Sequence, residues 1–149
     1  MKTLVIFYSF SGNIRAISQE LAEKESFGIA EIKDAKGFGK LKAYTLGCFA
    51  SIRGKPWPVQ PLGIVFSEYG RLVLLAPVWA SNPPPAVNAF FELLPPGKDV
   101  AVKMVSASGR SGCRARIESA IESKGCALES FEDIQAPKRR FSAINAVEP

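Results

Sequence analysis

The chain opens with an apolar run, Leu4-Val5-Ile6-Phe7-Tyr8, which breaks into Ser9-Phe10-Ser11-Gly12-Asn13. Helical spacing then follows at Ile14, Ile17, Leu21 and Ala22. A strand that feeds a hydroxyl- and glycine-rich turn and then a helix is a strong restriction on the fold. Backbone N–H groups at the start of such a helix point toward one spot, where the helix dipole also favours an anion. Serine hydroxyls add donors, and Gly12 allows an anion to approach the backbone closely. The stretch reads as a phosphate cradle.

Strand-like and helical runs alternate through the rest of the sequence. Strands are expected near 2–8, 28–33, 71–78, 99–106 and 127–133, and helices near 13–25, 40–53, 84–94 and 110–124. The third helix is entered through Pro83-Pro84-Pro85, carries Val87, Phe90, Phe91 and Leu94 at one-face spacing, and stops at Pro95-Pro96-Gly97. The fourth carries Cys113, Ile117, Ala120, Ile121 and Lys124 on one side. The second has a weaker stripe of Leu41, Tyr44, Thr45, Cys48 and Ile52. Such alternation implies right-handed crossovers and a parallel sheet covered on both faces. Residues 54–70, with Pro56, Pro58, Pro61, Gly63 and Gly70, read as an irregular connection.

With 149 residues the chain is expected to form one domain over 1–149, with 137–149 as a basic tail or short last helix. A chain of this length buries roughly 70% of the surface exposed on unfolding. The apolar runs fall well short of the about 20 residues needed to span a bilayer, and no signal peptide is expected at residues 1–8. Cys48, Cys113 and Cys126 form an odd, widely spaced set, and histidine is absent. That argues against a disulfide scaffold, a zinc site and histidine-based catalysis, and it favours a cytoplasmic location. The net charge of +5 concentrates at Lys33–Lys42 and Lys138-Arg139-Arg140. Without interleaved aromatics these read as solvated surface, and no nucleic-acid partner is expected.

In a doubly wound sheet, ligands sit beyond the carboxyl ends of the strands where the strand order reverses. Besides the cradle, two strand ends should reach that place. One is Ala76-Pro77-Val78-Trp79-Ala80-Ser81-Asn82-Pro83, polar and proline-bounded with one large aromatic. The other is Ser106-Ala107-Ser108-Gly109-Arg110-Ser111-Gly112, small and hydroxyl-rich with one cation. A phosphate cradle, an aromatic plate and a small polar loop suit a flat heteroaromatic group with a phosphate tail.

The combination resembles the flavodoxin-like superfamily, in particular its short bacterial and archaeal members. The matching residues are Tyr8, Ser9, Ser11, Gly12 and Asn13, then Pro77-Val78-Trp79-Ala80 and Ala86 to Phe91. The segment Leu41 to Pro56, with Gly47, Ala50, Arg53, Gly54 and Lys55, looks like that family's second helix and its exit. The resemblance implies a three-layer α/β/α sandwich with a five-stranded parallel sheet in the order 2-1-3-4-5, and flavin mononucleotide (FMN) bound at the strand ends. It assigns Ser9, Phe10, Ser11, Gly12, Asn13 and the backbone of Ile14 to the phosphate. Pro77, Val78, Trp79, Ala80, Ser81 and Asn82 would flank the isoalloxazine ring, while Ser108, Gly109, Arg110 and Gly112 would close its pyrimidine side.

One departure stands out. Ile14 occupies a place where the family usually has threonine, so one hydroxyl donor is missing. Its loss costs about 1.5–3 kcal/mol toward a charged acceptor. Arg15, on the first turn of the helix, is a candidate replacement charge. Trp79 either stacks on a flavin or belongs to the core, whereas Trp57 reads as a packing anchor. Arg110 either faces the pyrimidine edge and stabilises the negative charge of reduced flavin, or is solvated. Cys113 reads as buried and inert.

The implied function is electron transfer through FMN. The mode is either a carrier working with a redox partner protein, or a small reductase passing hydride from a nicotinamide to a quinone, as monomer or homodimer. The alternative is a non-catalytic module of the same fold that has weakened or lost FMN and binds another phosphorylated ligand or a protein. Carrier flavodoxins are typically acidic and this chain is basic, so a carrier role would require acidic partners.

Overall fold

The computed structural model describes residues 1–9, 13–35 and 43–136. In chain order the elements are β1 (Lys2–Phe7), α1 (Asn13–Glu25), β2 (Gly28–Glu31), a π-helical turn (Ala43–Gly47) running into α2 (Cys48–Ile52), a 3₁₀ turn (Phe66–Glu68), β3 (Tyr69–Pro77), α3 (Pro85–Leu93), β4 (Asp99–Ser106), α4 (Arg114–Glu122) and β5 (Ala127–Gln135). The five strands form one sheet in the order β2-β1-β3-β4-β5, and every neighbouring pair is parallel. This is the expected order. It turns back on itself between β1 and β3, which creates a switch point there.

The strands read as near-continuous apolar runs because both faces of the sheet are covered. Alternate residues Leu4, Ile6, Leu72, Leu74, Val100, Val102 and Met104 face one core, filled by Val87, Phe90 and Phe91 of α3 and by Ile117 and Ile121 of α4. Their neighbours Val5, Phe7, Val73, Leu75, Ala101 and Val105 face a second core against Ile14 and Ala22 of α1. Register aligns the strand ends: Phe7 pairs with Leu75, and Leu75 with Lys103. The chain therefore leaves β1, β3 and β4 along a common edge.

The helix expected at 84–94 is Pro85–Leu93, with proline in its first turn. Strand β5 runs two residues further than expected, to Gln135, and shifts register between Leu128 and Ser130. The second helix departs most from expectation. A π turn takes an extra residue per turn, and Gly47 and Ser51 become the buried positions. Ile52, expected inside, is exposed together with Leu46 and Phe49. Leu41 of the expected stripe lies outside the described residues.

The irregular connection after α2 is held by backbone pairing. An isolated antiparallel bridge joins Asp34 and Val59, with Ala35 N–H donating to Pro58 O at 3.0 Å and Gln60 N–H to Lys33 O at 2.8 Å. Val59, Leu62, Ile64 and Phe66 then pack on the first core. Lys98, nearly buried, donates through Nζ to Phe66 O and Tyr69 O, both at 2.8 Å, fastening the 3₁₀ turn to the start of β4. No helix of the described residues is long and apolar enough to cross a membrane.

Candidate functional site at the strand ends

Of the cradle, Phe10, Ser11 and Gly12 lie outside the described residues. Ser9 leaves β1 half-buried, and Asn13 opens α1. Asn13 Oδ1 is buried and has no hydrogen-bond partner among the described residues. A buried acceptor of this kind costs about 1–3 kcal/mol unless something meets it. Ile14 is only 4% exposed and belongs to the second core with Val5, Phe7 and Ala22. The departure from threonine thus serves packing, and only the backbone of Ile14 remains available to an anion.

Arg15 does not supply the missing donor. Its guanidinium forms a two-pronged ion pair with Glu31 at the end of β2, Nε to Oε1 at 2.9 Å and Nη2 to Oε2 at 2.8 Å. Such a fork fixes direction as well as charge, and here it points toward β2.

At the second strand end, Trp79, Ala80, Ser81 and Asn82 make a two-residue turn. Trp79 N–H donates to Asn82 O at 2.8 Å, and Asn82 N–H donates to Trp79 O at 3.0 Å. Both central residues are left-handed, Ala80 at φ 49° and Ser81 at φ 61°. That conformation suits glycine or asparagine and costs a non-glycine residue roughly 1–2 kcal/mol. Asn82 Nδ2 donates to Ala80 O at 2.8 Å across the turn. Arg116, from the first turn of α4, clamps it from outside: Nη1 donates to Asn82 Oδ1 at 2.6 Å and to Ser51 O and Ile52 O of α2 at 3.0 and 3.1 Å.

Trp79 is the centre of an aromatic cluster. Its ring meets Tyr8 edge-on at 5.9 Å and Trp57 edge-on at 6.0 Å. Below them Asp34 accepts two hydrogen bonds, from Tyr8 Oη at 2.9 Å through Oδ2 and from Trp57 Nε1 at 2.8 Å through Oδ1. Burial pushes the Tyr8 phenol well above its ordinary range, and the Asp34 charge adds to this. Burial also raises the Asp34 carboxyl, against the lowering effect of the two hydrogen bonds it accepts. Gly47 is what admits the ring: a β-carbon there would stand 2.5 Å from Trp79 Cζ3 and 3.1 Å from Trp57 Cη2.

At the end of β4 the loop is held by its own hydroxyls. Ser106 Oγ accepts the N–H groups of Gly109 at 3.0 Å and Arg110 at 3.2 Å. Ser108 Oγ accepts Arg110 N–H at 3.3 Å. Gly109 and Gly112 are left-handed at φ 73° and 70°, and Gln135 Nε2 of β5 donates to Ala107 O at 3.1 Å. Arg110 and Gly112 are exposed, whereas Ser111 and Cys113 are buried. Burial pushes the Cys113 thiol above its ordinary range, with Asp133 acting in the same direction and Ser111 and Arg116 against it.

The structure therefore brings Ser9, Asn13, Trp79–Asn82 and Ser106–Gly112 to one edge of the sheet. A separate groove of about 450 Å³ lies off the outer edge of β2, among Ile29, Lys33, Leu62 and Tyr69. Asp34, Gly47 and Arg116 were not singled out from sequence as parts of the site. Asp34 was the detectable one, because it is the sole carboxylate between Glu31 and Glu68.

Solved structures share this architecture over nearly the whole chain. A Lactobacillus acidophilus flavoprotein determined in complex with FMN superposes with a TM-score of 0.71 at 19% identity, covering 95% of this chain and 97% of that one. The chain has the flavodoxin-like fold. A protein from Bacteroides uniformis matches at TM-score 0.73 and 21% identity, covering 99% of this chain and 98% of its own. Oxidised flavodoxin 2 from Bacillus cereus matches at TM-score 0.54 and 17% identity over the full length of both chains. No family model matches the sequence, and no curated protein does. The flavodoxin-like fold of this chain thus rests on geometry: the 2-1-3-4-5 order and the three loops that emerge at its switch point.

Proposed function

We propose that this flavodoxin-like chain binds FMN at the ends of β1, β3 and β4 and transfers electrons through it. The observation that carries the reading is the convergence of a strand–turn–helix cradle, an aromatic strand end and a hydroxyl-rich loop at the switch point of the sheet. The neighbour determined with FMN has the same architecture. When bound, FMN supplies the redox chemistry, and the protein supplies binding, access and charge. Ser9, Asn13 and the backbone of Ile14, with the cradle residues between them, would hold the phosphate at a helix start that favours negative charge. Asn13 Oδ1, buried without a partner among the described residues, would be free to accept from a hydroxyl of the bound FMN. The Pro77–Asn82 segment flanks the ring, with Trp79 held upright by Tyr8, Trp57 and the Asp34 carboxylate. The Ser108–Gly112 loop closes the pyrimidine side, where Arg110 brings a positive charge to the edge that becomes electron-rich on reduction.

The three cysteines are free thiols, and the reading assigns the chain to a reducing compartment. The missing threonine hydroxyl at Ile14 predicts weaker phosphate binding than the family's usual cradle gives. The exchange partner is a redox protein in the carrier mode, or a nicotinamide and a quinone in the reductase mode. Purified protein that is yellow, or that takes up added FMN, supports the reading. Steady-state oxidation of a reduced nicotinamide by the FMN-loaded protein with a quinone then separates reductase from carrier. A colourless protein that ignores FMN would leave a phosphate- or protein-binding module of the same fold.

A further inference from the structure

The exposed side of α2 is the feature that the site leaves unused. Leu46, Phe49 and Ile52 are 53%, 56% and 54% exposed and spaced three residues apart, so they line one face. Three large apolar side chains more than half exposed along the π-helical turn and α2 form a patch, unlike singly scattered apolar residues. The opposite side of the same segment carries Gly47, packed against Trp79 and Trp57. Its carboxyl end is tied by Arg116 to Asn82. The patch is thus the outer surface of the element that supports the ring-flanking turn.

The surroundings are basic. Arg53 lies over the Phe49 ring, its guanidinium carbon 4.3 Å from the centroid, which fixes a cation at the rim of the patch. Lys55, Arg110, Arg114 and Arg116 are exposed on the adjoining loops and the first turn of α4. The sequence has no carboxylate from Ala35 to Ser67, from Tyr69 to Phe91 or from Val100 to Ile117. At this end of the sheet Glu31 is engaged by Arg15, Asp34 by Tyr8 and Trp57, and Glu132 by Lys103, while Asp133 is exposed near the end of β5, on the far side of the sheet from β2. At the other end Glu25, Glu68, Glu92, Asp99 and Glu122 are exposed among Lys2, Lys24 and Lys124. The positive charge is therefore gathered around α2, its exit and the start of α4, at the candidate cofactor edge.

From this juxtaposition we propose that Leu46, Phe49 and Ile52, with Arg53 over the Phe49 ring and Lys55 and Arg116 at the carboxyl end of the segment, form the docking surface for an acidic redox protein. The inference rests on the electron-transfer reading and names its partner by chemistry. An apolar centre with a charged rim is the layout of a protein interface, and a one-signed rim steers a partner of opposite sign. A second copy of the chain fits poorly, because a two-fold contact would set Arg53 and Lys55 against themselves. A nucleic-acid backbone would leave the apolar centre uncovered.

The test uses an acidic [2Fe–2S] ferredoxin as the probe and basic cytochrome c as its opposite, with both the FMN-free and the FMN-loaded protein. Binding is measured by titration calorimetry at about 20 mM and about 300 mM salt. Ferredoxin is expected to bind at low salt and to weaken at least about tenfold at high salt, while cytochrome c does not bind. The double substitution Phe49→Ser/Ile52→Ser and the double substitution Arg53→Glu/Lys55→Glu should each weaken ferredoxin binding about tenfold or more. Both should keep the wild-type circular dichroism spectrum and FMN affinity, and Glu122→Gln should change nothing.

Ferredoxin that fails to bind at low salt, or that binds all variants alike, overturns the inference. So does a Phe49-dependent homodimer in sedimentation. Phe49-dependent binding to phosphatidylglycerol vesicles without ferredoxin binding would make the patch a lipid contact and would also overturn it. If the FMN-free protein binds ferredoxin through this patch but takes up no FMN, the docking surface stands and the flavin reading falls.

Discussion

The loops after β3 and β4 reach the same edge of the sheet but are held there by different means. The Ser106–Gly112 loop is fixed from within, by two serine hydroxyls accepting N–H groups two to four residues away and by two left-handed glycines. The Trp79–Asn82 turn is fixed from without. Tyr8, Trp57, Gly47 and Arg116 come from four other parts of the chain to hold it, and its own backbone sits in a conformation that alanine and serine disfavour. A locally built loop keeps its shape when its neighbours change. A loop built by packing transmits a change at inward-facing Gly47 or in the Asp34 cluster to the place where a ring would lie.

The largest effect is expected where the external support is tightest. Gly47→Val drives side-chain carbon into Trp79 and should destabilise the protein by about 3 kcal/mol through overpacking. Urea unfolding followed by tryptophan fluorescence measures this. A change under about 0.5 kcal/mol would show that the cluster yields easily, and the contrast between the two loops would collapse.

Tyr8 gives the same support a pH signature. Its phenol is held protonated in the folded state, so its folded pKa lies above the unfolded value of about 10. The resulting stabilisation is fully present below about pH 10 and is lost as pH rises beyond it. The loss should be about 1.4 kcal/mol per pH unit until the folded phenol ionises. Urea midpoints from pH 9 to 11 should fall more steeply for wild type than for Tyr8→Phe, and parallel slopes would contradict the burial argument.

Ser106→Ala removes the acceptor for two N–H groups of the other loop and should cost about 1 kcal/mol. Because that loop is held by its own hydroxyls and by neighbouring β5 rather than by α2 or the Asp34 cluster, proton and nitrogen shifts in an NMR spectrum should move at residues 106–112 and 135–136 and stay put at Trp79–Asn82. Shifts spreading to Trp79 would break the distinction. The smallest effect is a gain: Ala80→Gly relieves a left-handed alanine and should stabilise the fold by about 0.5–1 kcal/mol, read as a raised urea midpoint.

The same contrast explains what was legible in the sequence. Helix α1 and strand β4 follow from apolar period and from turn residues at their borders, which are local signals, whereas the 2-1-3-4-5 order is implied by the family resemblance. The Ser106–Gly112 loop was readable for the same reason, since serine and glycine dictate a turn by themselves. Helix α2 was misread because its inward side is chosen by distant Trp79, which demands a glycine at 47 and rotates Ile52 outward. Ile14 illustrates another limit. The sequence marked it as a missing hydroxyl, whereas its burial beside Val5 and Phe7 shows what the position does instead. Arg15 and Arg116 differ only in which carboxylate or carbonyl lies within reach, and that is a property of the assembled fold.

The central claim is that the edge formed by Ser9, Asn13, Ile14, Trp79–Asn82 and Ser106–Gly112 binds FMN through both its phosphate and its ring. Titrating the purified protein with FMN and, separately, with riboflavin, while following quenching of flavin and tryptophan fluorescence, tests it most directly. The account predicts FMN binding with a Kd on the order of micromolar or tighter, and riboflavin binding at least about tenfold weaker for lack of the phosphate. Equal affinity for the two flavins, or no quenching by FMN at about 100 micromolar, would contradict it.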